Sequence, residues 1–193
     1  MKCAECNNKE CRSTGIDCSG IRDSVFEEYK NNNEYINIGK VSSVVEKEYY
    51  MKSPRLTEII YFSKKMGYSH LGIAFCVGLE KEAETLENIL KKHFKVSSVC
   101  CKVCGIDKQT LGFEKMDKNK RETMCNPVGQ AIVLNDQKTD LNLLVGLCIG
   151  HDILFTKHCK APVSTFIVKD RVLGHNPAVS LYSKYYLKMF EQV

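Results

Sequence analysis

No apolar run in this chain is long enough to cross a bilayer. The opening residues, Met1-Lys2-Cys3-Ala4-Glu5-Cys6, lack the hydrophobic stretch that a secretory signal needs. These absences argue against a membrane partner and lead to the expectation of a cytoplasmic protein. There is no arginine stripe either. The lysines are scattered, as in Lys64-Lys65, Lys91-Lys92 and Lys118 to Lys120. The formal charge of +5 therefore describes a solvated, mildly basic surface, not the footprint of a nucleic-acid partner. Counting four thiolates around one divalent metal, about −2 in local charge, would lower the sum to about +3.

What the chain has in excess is cysteine, with eleven among 193 residues. In a reducing compartment such a number favours metal binding or catalysis over disulfides, and an odd count would leave one thiol unpaired. Cys3, Cys6, Cys11 and Cys18 lie in a polar segment with Gly15 and Gly20. The Cys-x-x-Cys spacing with two further cysteines matches a metal knuckle. Its four soft ligands suit zinc or an iron–sulfur cluster, and the spacing does not choose between them.

The remaining cysteines follow Gly72, where the pattern turns to alternating strand and helix. Before that point, helical stretches are expected near 21–30 and 41–52, separated by Asn31-Asn32-Asn33. Another is expected from Pro54, with Ser53 as its cap and Gly67 as its stop. Strands are expected at 70–77, 95–101, 141–147 and 163–169, and helices at 127–136, at 151–158 and around Leu181, Tyr185 and Met189. This order predicts an α/β fold, a Rossmann-like, mostly parallel sheet of about four strands with flanking helices. Three segments follow: a cysteine-rich knuckle over 1–20, a helical segment over 21–67 and an α/β domain over 68–193.

Sites in such sheets lie outside the carboxyl ends of the strands. Cys76-Val77-Gly78 ends the first strand, Cys100-Cys101-Lys102-Val103-Cys104-Gly105 the second, and Cys148-Ile149-Gly150-His151-Asp152 the third. Cys125-Asn126-Pro127 and His175-Asn176-Pro177 each place a reactive side chain just before a helix start, where partial positive charge stabilises a thiolate or other anion. Cys101, Cys104, Cys125 and Cys148 are the candidate ligands of a second metal or iron–sulfur cluster. Cys125, Cys148 and His151 are the candidate catalytic residues, with Cys125 as reactive thiol and His151 as proton carrier. Cys159 reads as a packing residue, and Cys76 and Cys100 fit either role. Lys169-Asp170-Arg171 either orients an anionic substrate or forms a solvated loop.

The stretches Gly72–Leu79, Ser98–Val103, Cys125–Ala131, Val145–Asp152 and Lys169–Pro177, with the N-terminal cysteines, resemble domain of unknown function 1847. The resemblance to this prokaryotic family of predicted metal-binding proteins spans nearly the whole chain. It implies metal binding at cysteines and supplies no substrate. The functional expectation is a metal-binding protein whose strand-end thiols perform redox or sulfur chemistry on a small molecule. The alternatives are a non-catalytic metal sensor, store or carrier, and a zinc-stabilised interaction module.

Overall fold

A computed structural model describes residues 1–192, so Val193, the last residue of the expected α/β domain, lies outside the described residues. The chain divides into two compact units, Met1–Lys52 and Ser53–Val193.

The first unit holds a single 3-10 turn at Cys3–Glu5, then α1 (Glu10–Ser13), α2 (Arg22–Asn31) and α3 (Asn33–Tyr49). The asparagine run is no long turn. The Asn32 side chain accepts the N–H groups of Glu34 and Tyr35, so α3 starts at once and absorbs the stretch expected from 41. Tyr29 and Tyr35 meet edge to face across this junction, with ring centres 6.5 Å apart. Ahead of α2, the Asp17 carboxylate accepts Ser19 N, Ser19 Oγ, Gly20 N and Arg22 N, which shapes the 17–22 turn. The Ser19 bonds are the leading reason that carboxyl sits well below the usual range.

The second unit is the α/β fold. Its elements are α4 (Arg55–Met66), β1 (His70–Phe75), α5 (Glu80–Leu90), β2 (Lys95–Cys100), α6 (Pro127–Asp136), β3 (Leu141–Val145), α7 (His151–His158), β4 (Val163–Ile167) and α8 (Lys184–Phe190). All four strands run parallel in the order β2-β1-β3-β4. This is a Rossmann-like sheet, and chain progression reverses direction between β1 and β3. Helix α4 begins one residue later than expected, with Pro54 in extended conformation as its cap and no capping bond from Ser53. The final helix is shorter than expected. Residues 177–181 form a 3-10 turn, and α8 starts at Lys184.

Both faces of the sheet are covered, as the near-continuous apolar strands require. Leu71 and Ile73 of β1 and Leu141, Leu143 and Val145 of β3 pack with Ile59 of α4 and Ala83, Leu86 and Leu90 of α5. On the opposite face Ala74, Cys76, Val99, Cys101 and Leu144 pack with Ala131 and Leu134 of α6 and Phe155 of α7. Two glycines are fixed by what lies beside them. A Cβ on Gly72 would fall 2.0 Å from Asn142 Oδ1, a fully buried amide that Thr139 Oγ1 hydrogen-bonds. Gly146 turns the chain out of β3 at φ +64°, and a Cβ there would fall 2.0 Å from Leu79 Cδ1.

Among the described residues, no helix is long and apolar enough to cross a membrane.

Candidate active site

The ends of β1 and β3, the central pair at the reversal of strand order, deliver Cys76 and Cys148. Cys101 leaves β2 alongside them, where its N–H donates to Phe75 O at 2.9 Å. The chain then loops out and returns so that Asn126 N donates to Cys101 O at 2.7 Å. That bond sets Cys125 beside Cys101 across 24 residues of sequence. Asn126 is the cap of α6. Its Oδ1 accepts Gly129 N at 2.8 Å, its Nδ2 reaches Val103 O at 3.4 Å, and Pro127 occupies the first turn. Gln130, one turn further on and fully buried, donates from Nε2 to Val99 O (2.7 Å) and Phe75 O (3.1 Å). It ties the helix to the ends of both strands where their own ladder stops.

Cys125 is the perturbed thiol. Its pKa is held down to about 5, first by a hydrogen bond from the Cys101 thiol, then by the charge and hydrogen bond of Lys102 and the charge of His151, against the opposing effect of burial. Lys102 Nζ lies 3.4 Å from Cys125 Sγ and is anchored at 2.7 Å to Thr123 O. The Cys101 thiol shifts the other way. Its hydrogen bond to Cys125 and its burial keep the proton on, although Val77 N donates to its sulfur at 3.3 Å. The two thiols are thus pushed in opposite directions, Cys125 towards the thiolate and Cys101 towards the thiol.

Two more cation–thiol contacts complete the edge. Lys169 Nζ lies 3.4 Å from Cys76 Sγ, over Gly78, where a Cβ would come within 3.6 Å of that ammonium. Arg171 Nη2 lies 3.0 Å from Cys148 Sγ. The Arg171 proton is held more tightly through this bond, with added attraction from Cys148, Cys76 and Cys125. His151 begins α7 three positions after Cys148, with its N–H bonded to Cys148 O at 2.9 Å. The loop that presents Arg171 is closed by Asp170, whose carboxylate accepts Val172 N and Leu173 N and whose N–H donates to His175 Nδ1 at 3.1 Å. The helix start expected after His175 is only a 3-10 turn, and Asn176 makes no capping bond.

Of the expected site residues, Cys101, Cys125, Cys148 and His151 come together here. Cys104 does not join them. It is exposed, in a left-handed conformation at φ +69°, and no hydrogen bond among the described residues links it to the other thiols. Cys76 takes that place, as one of the buried thiols. Cys159 accepts Asn142 Nδ2 at 3.4 Å, and burial pushes its thiol up to about 11. The residues that sequence reading passed over are Lys102 and Gln130. Their signals were a lysine directly after a strand-end cysteine pair and an amide amid apolar residues at a helix start.

The N-terminal cysteines belong to the other unit, and all four are exposed. Lys9 N donates to Cys6 Sγ at 3.5 Å, an amide-to-sulfur contact, and Cys18 Sγ lies 3.9 Å from Ile16 O. Among the described residues no three cysteine, histidine, aspartate or glutamate side chains gather as a metal-holding group. At the strand ends Cys76, Cys125 and Cys148 each face a cation, and a metal would have to displace Lys169, Lys102 or Arg171. The strand-end residues as arranged do not fit a cluster.

A family model described as a protein of unknown function, DUF1847, matches residues 13–166. An uncharacterized protein of Methanocaldococcus jannaschii is 59% identical over 189 residues, which cover 97% of each chain. No solved structure matches.

Proposed function

The chain belongs to the DUF1847 family of proteins of unknown function, and we propose that its α/β unit performs thiol-based redox or sulfur chemistry at Cys125. The observation that carries this reading is the convergence of the Cys101 thiol and the Lys102 ammonium on one sulfur. A thiolate is the attacking species in such reactions, and its charge is stabilised here before any substrate arrives. With a low-molecular-weight disulfide as oxidant, the Cys125 thiolate attacks one sulfur and forms a mixed disulfide. The other half leaves as a thiolate and takes up a proton. Cys101 then gives up its proton and attacks Cys125 Sγ, which forms the Cys101–Cys125 disulfide and releases the second half as a thiol. A small thiol reductant returns the pair to its starting state. His151, at the start of α7 and close enough for its charge to act on Cys125, receives or returns the proton.

The test is the pH dependence of alkylation, made without oxygen and mapped by mass spectrometry. Cys125 should reach its full rate near neutral pH, whereas an ordinary thiol continues to climb towards its own pKa. Diamide should give a Cys101–Cys125 disulfide. A Cys125 rate that rises in parallel with Cys104 up to alkaline pH, with no such disulfide, would overturn the reading.

A second reading concerns the first unit. Cys3, Cys6, Cys11 and Cys18 offer soft-donor chemistry suited to zinc or an iron–sulfur cluster, and the amide contact at Cys6 favours it. Metal binding there would gather these sulfurs and order residues 1–20, in a structural, sensing or carrier role. Metal analysis of the anaerobically purified protein tests this. Bound metal that is lost in Cys3→Ser and Cys6→Ser supports it, and metal retained in both sinks it.

A further inference from the structure

The chemistry proposed for Cys125 leaves the substrate open, and the cations around it narrow the choice. Lys102, Lys169 and Arg171 come from the ends of β2 and β4 and meet three sulfurs at 3.4, 3.4 and 3.0 Å. None of the three forms an ion pair with a carboxylate among the described residues. Other bases in the same unit do: Lys91 with Glu87, Lys108 with Glu122, and Arg121 with Asp107. Nearby acids are engaged elsewhere. Asp170 spends its carboxylate on the Val172 and Leu173 amides, Asp152 accepts the Ile153 amide, and Glu122 is bound to Lys108 and to Met116 N. Those amide bonds fix the carboxylates without removing their charge. What sets the edge apart is therefore not its net charge but that its three cations face sulfur and none, among the described residues, is tied to a carboxylate. Arg171 uses one N–H of its fork on Cys148 and is exposed, so its remaining donors are free to take a planar carboxylate.

Building on the reading of Cys125 as a reactive thiolate, we propose that this edge is the binding site of a small anionic sulfur compound, a disulfide or persulfide bearing carboxylates. Arg171 and Lys169 hold the acidic groups, and the sulfur–sulfur bond lies over Cys125. A leaving half that is itself anionic departs towards the same cations, which lowers the cost of its added charge.

Three disulfide probes test this with the intact protein: dianionic dithiobis(nitrobenzoate), neutral dithiodipyridine and dicationic cystamine. Each rate is divided by that of a free small thiol with the same probe. The normalised rate should favour the dianion over the neutral probe by about tenfold at low salt, with cystamine slowest. High salt should erase most of the preference. Arg171→Gln and Lys169→Gln should reduce the dianion rate more than the neutral rate. Equal normalised rates for all three probes, or a preference unchanged by salt and by both variants, would overturn the proposal while leaving Cys125 reactivity intact. Independently of reactivity, calorimetry on Cys125→Ser should detect thiodipropionate, a carboxylate-bearing thioether, and not its dimethyl ester. Equal binding of the two, or none of either, would refute an anion site even if every thiol proved inert.

Discussion

Cys125 and Cys101 show how far two identical side chains diverge when their neighbours differ. Cys125 receives a hydrogen bond from the Cys101 thiol and the charge of Lys102, and becomes acidic at about 5. Cys101 donates that bond, is buried, and keeps its proton. Replacing Lys102 by glutamine should remove one of the cations and raise the Cys125 midpoint by about one pH unit, read from its alkylation profile. Cys101→Ser tests the leading cause. A hydroxyl is a better donor to a thiolate than to a thiol, so acidity should be largely retained while disulfide formation disappears. The place of Cys125 at a helix start was legible from sequence, because Cys-Asn-Pro announces one. Its grouping with Cys101 was also read from sequence, but the part of Lys102 was not. Lys102 meets Cys125 only because the chain from 102 to 124 loops out and returns, and the return point leaves no mark in residue spacing.

Among the elements, α6 does the most to organise the site. Asn126, only 6% exposed, caps it and at the same time bonds Val103 O from the β2 exit. Asn126→Ala should cost about 1–2 kcal/mol in denaturant unfolding, since it leaves Gly129 N and Val103 O without their partner. It should also loosen Cys125 from Cys101 and slow disulfide closure. At the opposite, amino edge, β1 carries a pH liability. His70 is buried with Nε2 2.9 Å from Ser97 Oγ, and burial lowers its pKa below the ordinary 6.5. The folded protein therefore binds this proton more weakly than the unfolded chain, and stability should decline as pH falls below about 6.5. Asp140 adds to the same trend at lower pH. Burial opposes its ionisation, but the Ser69 and His70 N–H bonds win and hold its carboxyl below the usual value. The decline between pH 6.5 and 5 should be shallower in His70→Gln, measured by urea midpoints across that range. The helix and strand types could be read directly from apolar periodicity, whereas the ends could not. Asn32, Pro54 and the 177–181 turn each moved a boundary through a local cap or its absence.

For the molecule as a whole, the sheet's double cover decides both stability and where chemistry can occur. Leu143 is fully buried at the centre of β3, so Leu143→Ala should cost about 2–5 kcal/mol, visible in the urea midpoint, without changing the Cys125 pH profile. Burial on both faces leaves the carboxyl edge as the place where side chains from four strands meet solvent. The amino-acid order by itself determined the α/β class, the parallel sheet and the delivery of cysteines to that edge. Strands that are apolar throughout must be covered twice, and glycines after cysteines must mark their exits. It also set apart the N-terminal cysteines, whose polar segment has no apolar core to join. Only the tertiary structure decided which thiols share the edge. It admitted Cys76 and left out Cys104, because strand order and backbone conformation, not spacing, choose the neighbours. It likewise decided that those sulfurs face ammonium and guanidinium groups, since such pairings join residues up to 93 positions apart. Chemistry of that kind is set by distance in space, which a linear order of residues does not contain.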